Sequence, residues 1–158
     1  MSYRALVITV STRTAAGIWT DTSGPILVAG LSALGIDVTG PIVVADGDPV
    51  GVALRSGIDS EFDLIMTTGG TGLSPTDHTP EQTRPLLDRE IHGLPEAIRA
   101  QGIGGGVANA VLSRGLAGMA GKTLIINAPG SAGGARDAVE AVAPTLLHAL
   151  DQIAGHQH

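Results

Sequence analysis

Asp46, Asp48 and Asp77 are carboxylates set in stretches rich in glycine, serine and threonine. Carboxylates in such settings suit magnesium, which takes one or two of them and completes its shell with phosphate oxygens and water. Asp77 follows closely on Thr67-Thr68-Gly69-Gly70-Thr71-Gly72. Glycines there let backbone N–H groups approach an anion with no Cβ in the way, and the threonines add hydroxyl donors. The segment also reads as a plain strand-to-loop turn, and Asp77 as a turn residue of a polar loop. Asp48 directly precedes Pro49 and reads first as a helix N-cap, a role for which Asp46 is not needed.

A second glycine turn, Asn127-Ala-Pro129-Gly130-Ser131 with Gly133 and Gly134, opens the last helix. It could hold a phosphate at the helix N-terminus or simply cap the helix. Arg13 and Arg114 could each grip phosphate bidentately or form a structural ion pair. His78 and His92 stand apart from other ligand types and read as surface or loop residues. Trp19 reads as packing against the sheet or a partner subunit.

Two familiar phosphate motifs fail. Gly70-Thr71-Gly72 begins a dinucleotide fingerprint, but Pro75 stands where the third glycine belongs. Gly121-Lys122-Thr123 has the ending of a P-loop, yet Leu116 occupies the upstream glycine position and the segment leads into a strand. Lys122 reads as a turn residue.

The elements that must position these groups follow from the apolar pattern. Ala5–Val10 is a short apolar run expected of a strand buried on both faces. A polar loop, 11–21, leads to a helix from Ser23 that stops at Gly35. Strands are expected over 37–44, 64–68 and 123–127, and an edge strand over 116–119. Helices are expected from Pro49 to about Glu61, over 79–88 with a Thr79/Gln82 capping box, over 94–101, and as a short piece over 109–114. The last helix is expected over 135–153 with a break at Pro144. The alternation of strand and helix predicts an α/β fold of three layers, a mostly parallel central sheet with helices on both faces. In such a sheet the loops leaving the strand carboxyl ends converge on one edge. Ser11–Thr14, Ala45–Asp48, Thr67–Thr79 and Asn127–Ser131 all leave that edge.

With 158 residues, the chain is expected to form one domain over 1–154, followed by a disordered tail at 155–158. A net charge of -6 argues against a nucleic-acid or anionic-membrane partner. Tyr3, Trp19 and Phe62 are its only aromatics, too few for a base-stacking platform. The absence of cysteine excludes a disulfide scaffold, an iron–sulfur cluster and a cysteine zinc site. Mean hydropathy is positive, but the most apolar stretches, 25–36 and 102–121, are broken by Gly, Ser, Asn or Arg and fall short of a bilayer span. No signal-peptide pattern opens the sequence, so a cytoplasmic location is expected.

The ordered set of motifs resembles the MogA/MoaB family of molybdenum cofactor biosynthesis proteins, over nearly the whole chain. The most specific stretch is Thr67-Thr-Gly-Gly-Thr-Gly-Leu-Ser-Pro-Thr-Asp-His-Thr-Pro-Glu81. Asp21-Thr-Ser-Gly24, Asp88-Arg-Glu90, Ser113-Arg114 and Gly121–Gly130 resemble the family too. The resemblance implies a molybdopterin-binding domain, a homotrimer or hexamer, and Mg²⁺-dependent adenylylation of molybdopterin by ATP with release of pyrophosphate. It implies Asp46 and Asp77 as the catalytic, metal-holding pair. It implies a ligand pocket made of Thr68, Gly69, Gly70, Thr71, Gly72, Ser74, Thr79, Ser113, Pro129, Gly130 and Ser131, and partner enzymes of the same pathway. Two departures stand out: Thr12, where many adenylyltransferases of the family carry Asp, and Ala45, where Pro is frequent. Thr12 points to the alternative of a non-catalytic molybdopterin-binding scaffold, whereas the presence of both Asp46 and Asp77 points to the enzyme.

Overall fold

The computed structural model describes residues 2–156. Six strands form one sheet: β1 (Arg4–Val10), β2 (Asp37–Val44), β3 (Leu64–Thr68), β4 (Arg89–Glu90), β5 (Ala117–Ala120) and β6 (Thr123–Ala128), in the order β2-β1-β3-β6-β5-β4. β1 pairs parallel with β2 and β3, and β3 pairs parallel with β6. β5 runs antiparallel to both β6 and β4. The helices are α1 (Thr12–Ala15), α2 (Ser23–Ala33), α3 (Asp48–Asp59), α4 (Thr79–Thr83), α5 (Gly93–Gly104) and α6 (Ala132–Ala154).

The two-residue period of a strand explains the layers. On β1, Ala5 and Val7 join a core with Leu27 and Leu31 of α2 and Val142, Leu146 and Leu150 of α6. Leu6, Ile8 and Val10 join a second core with Val50 and Leu54 of α3. Leu64 and Met66 divide from Ile65 in the same way, as do Leu124 and Ile126 from Ile125. Burial on both faces is why these strands read as continuous apolar runs. The expected three-layer α/β architecture is the one observed.

Several local expectations are corrected. Residues 12–15, read as loop, form α1, because Ser11 caps them by accepting from the Thr14 N–H at 3.2 Å. Asp48 is not the N-cap of α3. Gly47 holds that position with φ +92°, and the Asp48 carboxylate accepts from Gln82 Nε2 at 3.4 Å. The Thr79/Gln82 capping box is absent: His78 occupies the cap position, and the buried Thr79 hydroxyl donates to the Gly69 carbonyl at 2.9 Å. That helix ends at Thr83 and passes into a 3-10 turn, Arg84–Leu86, instead of reaching residue 88. β4 then pairs outside β5, so β5 is an inner strand and not the edge. The piece expected over 109–114 is a 3-10 helix, Ala108–Leu112.

α6 runs unbroken through Pro144. Pro144 is exposed, while Val142 and Leu146 on either side of it are buried, so packing carries the helix across the missing N–H. Gly155, with φ +81°, closes α6, and the His156 N–H donates to the Asp151 carbonyl at 2.9 Å. Of the tail expected over 155–158, Gln157 and His158 lie outside the described residues.

Candidate functional site

β1 and β3 are neighbours from which the chain proceeds toward opposite edges of the sheet, to β2 and to β4, which makes their carboxyl ends the topological switch point. Loops from β1, β2, β3 and β6 meet there, as expected, around a cavity of about 670 Å³. Ser11–Thr14, Asp46, Gly69, Gly70, Asp77 and Gly130 all line it. A second cavity of about 550 Å³ adjoins it, lined by Thr71, Gly72, Ser113, Pro129, Ser131 and the start of α6. Gly70, Asp77 and Gly130 belong to both and form the shared wall.

Close backbone approach explains the glycines of this wall. A Cβ on Gly69 would lie 2.3 Å from the Val10 carbonyl oxygen, and one on Gly130 would lie 3.0 Å from the Gly69 Cα. Gly69 and Gly70 also take φ of +102° and +69°, which side chains resist. A Cβ on Gly70 would sit 3.3 Å from Asp46 Oδ1, and one on Gly72 would sit 2.8 Å from Asp77 Oδ2. The two carboxylates therefore flank the glycine loop. Among the described residues, the N–H groups of Gly70, Thr71 and Gly72 donate to no protein acceptor.

Both carboxylates are half-buried and anchored through one oxygen. Asp46 Oδ2 accepts from the Thr12 N–H at 3.1 Å and the Thr12 hydroxyl at 2.9 Å, and the same hydroxyl accepts from the Asp46 N–H at 3.1 Å. Asp77 Oδ2 accepts from the Ser74 N–H at 3.0 Å. Among the described residues no protein donor reaches Oδ1 of either. That donor set fits a hard cation shared with phosphate oxygens and water.

Arg114 holds the extended loop in shape. Its Nε donates to the Gly72 carbonyl at 2.8 Å, its Nη2 to the Asp77 carbonyl at 2.9 Å, and its Nη1 to Glu81 at 2.8 Å. Of the two sequence readings for Arg114, the structural ion pair is the one observed. The hydrogen bond from Arg114 holds the Glu81 carboxyl below its ordinary range, and Glu81 raises Arg114 in return.

The other residues of the expected pocket divide into two groups. Thr68 and Thr79 are fully buried and brace the loop from beneath. The Thr68 hydroxyl donates to the Pro129 carbonyl at 2.7 Å, and that of Thr79 to the Gly69 carbonyl. Ser74 lines the first cavity; the Ser113 hydroxyl donates to Thr71 Oγ1 at 3.4 Å beside the second. Ser131 caps α6 by accepting from the Gly134 N–H at 2.9 Å, at the rim of the second cavity. Lys122 lies in the β5–β6 turn, as read.

Three residues escaped the sequence reading of the site. Asp21 lines the first cavity, where its carboxylate accepts from the Thr9 hydroxyl at 2.7 Å and the Gly24 N–H at 3.0 Å. An Asp two residues before a helix start was a legible capping signal. Arg99 and Asp137 line the second cavity from α5 and α6. Their positions follow from helix packing and leave no local signature.

An α/β sheet whose switch point opens into two joined, glycine-walled chambers flanked by anchored carboxylates defines a ligand-binding domain of the doubly wound class. The chain matches, over residues 6–148, the family described as a probable molybdopterin binding domain, and it belongs to that family. It is 34% identical over 154 residues to a molybdopterin adenylyltransferase of Helicobacter pylori, covering 95% of this chain and 87% of that protein. The structure of the molybdopterin biosynthesis Mog protein from Mycobacterium ulcerans superposes with a TM-score of 0.91 at 50% identity, covering 96% of this chain and 99% of that one. MoaB from Thermus thermophilus gives a TM-score of 0.90 at 44% identity, covering 97% of each chain. The chain spans 22% and 50% of the length of two longer curated relatives that it also matches.

Proposed function

We propose that this chain catalyses the Mg²⁺-dependent transfer of an adenylyl group from ATP to molybdopterin, a step of molybdenum cofactor biosynthesis. The observation that carries the reading is the pair of chambers meeting at Gly70, Asp77 and Gly130, with Asp46 on the first chamber's wall. Two adjoining chambers that share a wall can bring the phosphates of two substrates together. The names of the similar adenylyltransferases support the same activity.

In this reaction a terminal phosphate oxygen of molybdopterin attacks the α-phosphorus of ATP. The bond from that phosphorus to the oxygen bridging the β-phosphorus breaks, and pyrophosphate leaves. Bound Mg²⁺ would neutralise phosphate charge. Asp46 and Asp77 are the residues that would hold it, with phosphates and water completing its shell. The N–H groups of Gly70, Thr71 and Gly72 would orient phosphate oxygens without reorganising during the reaction. Thr12 and Ser74 fix the carboxylates in place. Positioning and charge compensation are what phosphoryl-type transfer asks of a protein.

The test is an end-point assay of the purified chain with molybdopterin, ATP and Mg²⁺, scored for adenylylated molybdopterin. Asp46→Asn and Asp77→Asn run in parallel. Product in the wild type that falls at least about a hundredfold in both variants supports the reading. Molybdopterin binding without product replaces it with the non-catalytic scaffold, the reading that Thr12 at an expected Asp position favours.

The same proposal includes a homotrimeric, cytoplasmic protein that exchanges substrate with other enzymes of the pathway. Exposed Ile103, Val107, Val111 and Leu112 cluster in sequence beyond the middle of α5 and support an assembled form. Sedimentation at micromolar concentration should give three chain masses or six; one chain mass overturns it.

A further inference from the structure

Trp19 is the only tryptophan of the chain, and it stands on the wall of the first chamber with 55% of its surface exposed. An exposed indole at a cavity mouth calls for a reason. Its ring carries the guanidinium of Arg13, whose Cζ lies 4.5 Å from the ring centroid. The backbone builds this stack locally. α1 places Arg13, the chain reverses at Gly17 with φ +77°, and the N–H groups of Ile18 and Trp19 both donate to the Arg13 carbonyl, at 2.9 and 3.3 Å. Stacking on an aromatic face restricts a guanidinium while leaving its in-plane N–H groups available.

Among the described residues Arg13 makes no side-chain hydrogen bond and no ion pair. The first chamber is lined by three carboxylates, Asp21, Asp46 and Asp77, and among its described lining residues Arg13 is the only basic one. Asp21 accepts from Thr9 and Gly24 through its two oxygens, and Asp46 accepts from Thr12 through Oδ2, so neither is paired with Arg13. Arg114 makes a contrast: the same residue type is fully engaged by Gly72, Asp77 and Glu81. Arg13 is thus a pre-oriented cation with a free planar fork in an otherwise acidic chamber. An anionic ligand entering that chamber meets repulsion from the carboxylates, which Arg13 alone offsets among the described lining side chains.

We propose that Arg13, held on Trp19, is a phosphate-binding residue of the first chamber, and that Trp19 is the shelf that positions it. The ligand chemistry is an ionised phosphate, whose oxygens match the guanidinium fork bidentately. Two substrate groups present that chemistry: the polyphosphate of a nucleoside triphosphate and a phosphate monoester. The inference rests on the adenylyl-transfer reading only in taking the chamber as a phosphate site.

Calorimetric titration of the full chain with magnesium pyrophosphate, and separately with phenyl phosphate, tests it. The wild type should bind at least one probe, and Arg13→Gln should weaken that binding by about tenfold or more. Loss confined to pyrophosphate assigns the polyphosphate; loss confined to phenyl phosphate assigns the monoester. Arg13→Lys should recover only part of the affinity, because a point charge lacks the fork. Trp19→Ala should weaken the same probe by a smaller factor. In the wild type, Trp19 fluorescence should change and saturate at the calorimetric dissociation constant. Failure of the wild type to bind either probe, or equal affinities in wild type and Arg13→Gln, overturns the inference. Binding through Arg13 without adenylylated product keeps the inference and removes the enzyme reading. Product formation with unchanged probe affinity in Arg13→Gln does the reverse.

Discussion

Thr12 and Asp46 hold each other through one hydroxyl: Thr12 Oγ1 donates to Asp46 Oδ2 at 2.9 Å and accepts from the Asp46 N–H at 3.1 Å. The pair bridges the loops after β1 and β2, so a residue that looked like a departure from the family pattern fixes the carboxylate it neighbours. Thr12→Val removes the hydroxyl at nearly constant shape. Losing these bonds should cost about 1 kcal/mol of stability and lower the proposed adenylyl transfer several-fold. Thr12→Ser should restore both in the same end-point assay and thermal melt.

Arg114 joins three points of the 72–81 loop, and Asp77 sits on that loop. Arg114→Ala should lower Tm by about 2–4 °C, since the pair with Glu81 is partly exposed and solvent screens it. Activity should fall more than stability does, because the Asp77 backbone loses its anchor. Arg114→Lys should rescue little, having no fork to span separate acceptors.

Glu81 has its carboxyl held below the ordinary value of 4.5 by the hydrogen bond from Arg114. A lowered carboxylate stabilises the fold above its unfolded pKa and loses that contribution as pH falls through the folded value. The Tm difference between wild type and Glu81→Gln should be constant near neutral pH and shrink as pH drops below about 4.5. A difference that grows on acidification contradicts this.

Tyr3 behaves in the opposite sense. Its hydroxyl donates to Asp151, and that bond pushes its pKa up to about 12. A raised phenol stabilises the fold below its unfolded pKa of 10.0 and loses that contribution as pH climbs toward 12. Denaturant unfolding of wild type and Tyr3→Phe should show a gap below pH 10 that closes above it.

Gly70 and Gly133 make a matched pair. At Gly70, φ is +69° and a Cβ would lie 2.2 Å from Thr79 Oγ1, whereas at Gly133 nothing lies within 4 Å. Gly70→Ala should destabilise by about 1–3 kcal/mol from backbone strain alone. Gly133→Ala, inside α6, should leave stability unchanged or raise it by up to about 1 kcal/mol. Thermal melts of the two variants decide.

Much of this protein was written locally. Ala5–Val10, Leu64–Thr68 and Thr123–Asn127 announce strands by continuous apolar runs, since both of their faces are buried. Positive-φ glycines at 35 and 69–70 mark a helix end and a loop because no other residue adopts those angles cheaply. Asp46 and Asp77 were legible as acidic groups near glycine loops because parallel strands send their carboxyl-end loops to one edge. What the sequence could not decide were matters of long-range contact. Whether Thr79 caps a helix or braces Gly69, whether Arg114 binds a ligand or a loop, and whether Pro144 breaks α6 all depend on partners far along the chain. Local propensities at those positions amount to about 1–3 kcal/mol, and packing contacts of the same size or larger override them. The motifs therefore fixed which groups reach the sheet edge, while the tertiary contacts alone settled which of them face the cavity.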